Sequence, residues 1–126
     1  MAKTVKDMMA EAKADLKELT PAEAKAAADA GEAVLVDVRD GTELAASGRV
    51  PGAVHASRGL LEFRLDPASP MHDARLSTGK PLIFFCASGG RSALAARTAR
   101  DMGYDKVSHI AGGFGAWTEA GQPVET

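Results

Sequence analysis

Cys86 is the only cysteine of the 126-residue chain, and it stands where the apolar run "PLIFFC" gives way to "ASGGRS". A lone cysteine is commonly a small core residue. Its place argues for more. A loop that leaves a strand and enters a helix aims successive backbone N–H groups at one point, and the helix end adds about half a positive charge there. Gly89 and Gly90 let that loop curl without Cβ clashes, and Arg91 adds a full charge at its far end. Thiolates in such electropositive surroundings ionise at roughly 3.5–7.5 instead of about 8.5. The residues from Cys86 to Ser92 therefore suit a nucleophilic sulfur held as an anion.

The elements that must position this loop are legible on either side of it. "PLIFFC" reads as a buried strand, and a helix follows from about Arg91 to Met102, closed by Gly103. "AVLVDVRD" at 33–40 is a continuous β-branched run, as in a strand covered on both faces. "VPGA" at 50–53 orders proline and glycine as a type II turn requires and leads into a short strand at 53–56. "KVSHI" at 106–110 is a further strand, with a last short helix after "AGGFGAW". "TPAE" at 20–23 is a capping box that opens a helix ending near Gly31. Strands alternating with helices predict an α/β fold with a parallel sheet and helices on both faces. Ligands in such sheets sit at the carboxyl ends of strands, where Cys86 falls.

The first 19 residues read as an amphipathic helical extension, with Val5, Met8, Met9, Ala12, Leu16 and Leu19 at helical spacing and Thr4 as cap. That face either packs on the domain of 20–126 or forms a partner or dimer surface. The net charge of −2 offers no field for nucleic acid or an anionic membrane. The N-terminus has no apolar core of a secretion signal or spanning helix, and a single cysteine suits a reducing cytoplasm.

Four segments together resemble the rhodanese family, in the family's order over about residues 20–122: "LVDVRD", "SGRVPGAVHA", "CASGGRS" and "IAGGFGAW". The resemblance implies a rhodanese-like three-layer fold, a parallel sheet of about five strands, and a single-domain sulfurtransferase with Cys86 as catalytic carrier of a persulfide. Ala87, Ser88, Gly89, Gly90, Arg91 and Ser92 form its substrate-binding loop. Asp37 and Arg39 are expected to brace that loop from behind. Arg58 and Arg64, with the long polar stretch 66–80, are candidates for a pocket rim. No cofactor and no metal is expected, since His55, His72 and His109 are scattered without ligand spacing. Two positions depart from the family: Arg49 replaces its usual histidine on a turn, and Ser88 stands where thiosulfate-using two-domain members place a basic residue, which counts against thiosulfate as the natural donor.

In chemical terms, the Cys86 thiolate would take a sulfane sulfur from a small donor, thiosulfate or a persulfide, and pass it to cyanide, a thiol or a protein sulfur carrier. No histidine lies in the loop to act as base, and an anionic acceptor needs none. Two other classes share features with this chain. Phosphatases and arsenate reductases use cysteine-to-arginine cradles but with five intervening residues, against four here. A non-catalytic sulfur-binding module would dock a partner through the N-terminal helix.

Overall fold

The structure, a computed structural model, describes residues 2–126. Among them are five strands, β1 (Lys17–Leu19), β2 (Val34–Asp37), β3 (Val54–His55), β4 (Leu82–Phe85) and β5 (Val107–Ile110). All pair in parallel, in the order β1-β5-β4-β2-β3. The helices are α1 (Val5–Ala14), α2 (Pro21–Asp29), α3 (Gly41–Ser47), α4 (Leu61–Leu65), α5 (Gly90–Asp101) and α6 (Gly113–Glu119).

The two-residue side-chain period of the strands sorts the core into two layers. Val36 and Val38, with Leu82 and Phe84, face one cluster together with Ala12 and Leu16 and the alanines Ala93, Ala95, Ala96 and Ala99 of α5. Leu35, Ile83, Phe85 and Ile110 face the other, against Ala24 of α2 and Phe114 and Trp117 of α6. Cys86 continues the alternation of Leu82 and Phe84, so its sulfur lies on the α5 side of the sheet. The helices on both faces and the parallel sheet match the expected α/β architecture, and the turn at "VPGA" has Gly52 at φ +80° with Ala53 N–H donating to Val50 O.

The N-terminal segment corrects the sequence reading. The helix ends at Ala14, and Leu16 and Leu19 are not on it: Lys17–Leu19 is an edge strand paired with β5. Their three-residue spacing, in phase with the preceding helix, disguised the change. Met1, also within the expected extension, lies outside the described residues. Helix α1 starts on a capping box, with Asp7 N–H donating to Thr4 Oγ1 and Thr4 N–H to the Asp7 carboxylate. It packs on α5, burying Ala12, while Val5 and Met8 stay exposed. Helices α3 and α4 fill stretches for which the sequence pattern gave no assignment.

Candidate active site

The loop Cys86–Ser92 joins β4 to α5, and the Cys86 side chain is 1% exposed beneath it. Gly89, at φ +136°, serves as N-cap and turns the chain into the helix, a conformation open to glycine and strained for other residues. As a result the N–H groups of Gly89 and Ser92 both donate to Cys86 Sγ, at 3.1 and 3.4 Å. Ser92 Oγ lies 3.6 Å from the same sulfur. Burial pushes the thiol up, but the Ser92 hydroxyl and the N–H groups of Ser92, Ser88 and Gly89 outweigh it, and the thiol ionises below its ordinary value. The N–H groups of Gly90 and Arg91 belong to the first turn of α5, where no carbonyl within the helix can serve them.

Arg91 does not reach for the sulfur. Its Nη1 donates to Glu43 Oε2 at 3.1 Å, tying the first turn of α5 to α3, and the Glu43 carboxyl is held below the usual range chiefly by that hydrogen bond. The positive charge still acts on the thiolate through space, as the two groups stabilise each other's charged forms.

Behind the loop, Asp37 and Arg39 are a buried pair, each 1% exposed, with Arg39 Nη2 donating to Asp37 Oδ2 at 2.7 Å and to Gly48 O at 3.0 Å. The guanidinium carbon stands 3.9 Å from the centre of the Phe114 ring. The N–H of Phe114 in turn donates to Cys86 O at 2.7 Å, and that of Gly115 to Ala87 O at 3.1 Å. The "GGFG" segment thus grips the outward carbonyls of the loop and leaves its N–H groups facing inward. Gly113 is committed to this contact: at φ +58°, a Cβ there would lie 2.3 Å from Cys86 O.

Arg58 and Arg64 make their hydrogen bonds elsewhere. Arg58 donates to Glu62 and to Thr98, eight residues along α5 from Gly90, and Arg64 to Met71 O within the 66–80 stretch. Arg49 joins the C-terminal tail through an antiparallel bridge to Glu125, a structural use of the turn.

One group was missed in the sequence. His109 of β5 is 1% exposed, with Nδ1 2.9 Å from Ser92 Oγ and Nε2 2.8 Å from Glu18 Oε2. The strand period was the available signal: Val107 packs in the α5-side layer, and two residues on His109 must face the same way, beneath the helix end.

Comparison with known proteins gives the family. The model of the rhodanese-like domain matches residues 20–120. Human thiosulfate:glutathione sulfurtransferase is 37% identical over 95 residues, covering 71% of this chain and 82% of that protein. Thiosulfate sulfurtransferase GlpE of Actinobacillus succinogenes is 36% identical over 110 residues, covering 86% and 90%. Among solved structures, a Rhodopseudomonas palustris protein of unknown function, described as a possible tyrosine phosphatase, superposes with a TM-score of 0.92 at 45% identity, covering 99% of this chain and 96% of its own. With the matched model spanning residues 20–120, most of the chain, the chain belongs to the rhodanese-like domain family.

Proposed function

We propose that this sulfurtransferase works through a persulfide on Cys86. The observation that carries the reading is the convergence of two backbone N–H groups on a buried sulfur at the start of a twelve-residue helix. The thiolate attacks the outer sulfur of a sulfane donor. The bond between the donor's two sulfurs breaks, and its electron pair leaves with the rest of the donor as an anion. The new Cys86 persulfide places its terminal sulfur toward the N–H groups of Gly90 and Arg91, an electrostatic cradle of the oxyanion-hole type. A nucleophilic acceptor, cyanide or a thiol, bonds to that terminal sulfur, and the electron pair of the breaking S–S bond returns to Cys86 as thiolate. The name of the human relative couples thiosulfate to glutathione, which supports a small thiol as acceptor. A protein sulfur carrier has the same terminal chemistry. Asp37 and Arg39 act by holding Phe114 against the loop.

The structural neighbour described as a possible phosphatase raises that activity as a second reading. The spacing weighs against it, because four residues between Cys86 and Arg91 close the loop on one sulfur atom, and Gly89 and Ser92 already spend their N–H groups there. Intact-mass measurement after incubation with thiosulfate or a low-molecular-weight persulfide tests the proposal. One added sulfur atom, removed by excess thiol and absent in Cys86→Ser, is expected, with negligible hydrolysis of aryl phosphates. Turnover by Cys86→Ser, or Cys86-dependent phosphatase activity exceeding sulfur transfer, would overturn it.

A further inference from the structure

We infer that Ser92, His109 and Glu18 form a hydrogen-bonded relay that receives the proton of the Cys86 thiol, which makes His109 a positioning residue for the reactive sulfur. The inference rests on the reading of Cys86 as the nucleophile. Its basis is a continuous chain of contacts: Cys86 Sγ to Ser92 Oγ at 3.6 Å, Ser92 Oγ to His109 Nδ1 at 2.9 Å, and His109 Nε2 to Glu18 Oε2 at 2.8 Å. The first three groups are buried, whereas the Glu18 side chain is 49% exposed, so the chain runs from the sulfur to the protein surface. Sheet register builds the outer half, because Glu18 of β1 is the parallel partner of His109 on β5.

The donors and acceptors give its outer half a direction. An ionised carboxylate only accepts, so Nε2 carries a hydrogen toward Glu18. Burial holds the imidazole below its ordinary value, against the pull of Glu18 and with a smaller push from Lys13 of α1. Those are the charged groups that act on it. From β4 and α5 the ring's chain meets the thiol and the Ser92 hydroxyl, both uncharged before ionisation. In the neutral imidazole Nδ1 is then an acceptor for the Ser92 hydroxyl, whose single hydrogen has Gly89 O, 3.2 Å away, as its other acceptor. On ionisation, the thiol proton passes to Ser92 Oγ while the hydroxyl's own proton passes to Nδ1. One proton moves in total, no other bond changes, and the products are a thiolate accepting from Ser92 and an imidazolium held by Glu18. An imidazolium at this place favours the thiolate further, as in other cysteine–histidine pairs.

The test is the pH dependence of Cys86 alkylation by iodoacetamide on the full chain, with folding followed by thermal melts. His109→Gln is expected to move the midpoint upward by about one pH unit or more, with a corresponding fall of roughly tenfold in rate at pH values below both midpoints. Glu18→Gln, at a half-exposed position, is expected to move it in the same direction by less. A folded His109→Gln with the unaltered profile would overturn the relay. If that variant fails to fold, an unchanged profile in Glu18→Gln does so instead. Sulfur loading of the unaltered chain, read by mass in the same samples, reports on the persulfide reading separately, since alkylation needs only a thiolate.

Discussion

Asp37 and Arg39 are both buried, and neither charge can be removed without stranding the other. Breaking such a pair from one side costs about 3–5 kcal/mol. Asp37→Ala should therefore lower stability by that order in urea denaturation, while the fraction that stays folded still takes up sulfur on Cys86. Loss of loading in fully folded protein would instead give Asp37 a direct part in the chemistry. His109 carries a pH prediction of its own. While Cys86 keeps its own proton, the folded-state value of His109 is depressed by burial, so the unfolded chain binds the extra proton first as pH falls. The stability it contributes is complete above the unfolded value of about 6.5 and is lost as pH drops below it toward the folded value. Melting temperature should decline on acidification through that window, and His109→Gln should flatten the decline.

At the level of elements, what holds the loop is the entry to α6. Gly113→Ala would place a methyl 2.3 Å from Cys86 O in a left-handed backbone region, so the segment must lift off the loop. A strain of about 1–3 kcal/mol should appear in melts, accompanied by slower sulfur loading as the Phe114 hydrogen bond to Cys86 O is lost. Gly115→Ala is the control: a Cβ there meets Ala87 O at 3.5 Å, an ordinary contact, and both readouts should stay near those of the unaltered chain. The same elements show what could be read in advance. Cys86 to Ser92 was legible because its chemistry is contiguous, a strand end, two glycines and a helix start within seven residues. β1 was not, because three residues beside a helix carry too short a pattern to break its period. His109 looked like one of three scattered histidines, since its partners lie 17 and 91 residues away and only the sheet register brings them together.

For the whole molecule, the N-terminal segment contributes at two depths, and two truncations separate them. Residues 2–14 supply α1, which rests on α5 through buried Ala12, with Met9 lying over Gly90, where a Cβ would meet its sulfur at 2.9 Å. Residues 15–19 supply Leu16, 7% exposed in the core, the backbone pairing of β1, and Glu18. Removing 2–14 takes away Ala12 and half-buried Met9 and uncovers the face of α5 on which α1 rests, so a loss of stability with an unshifted alkylation profile is expected. Removing 2–19 should cost a further 1.5–3 kcal/mol or so for Leu16 alone, and should shift the profile upward as Glu18→Gln does, because the outer end of the relay leaves with β1. Thermal melts and iodoacetamide rates on both shortened chains measure this. A shorter truncation that stays folded yet already loses Cys86 reactivity would reverse the assignment. It would make the contact of Met9 with the first turn of α5, and not the carboxylate of Glu18, the means by which the N-terminal segment controls the sulfur.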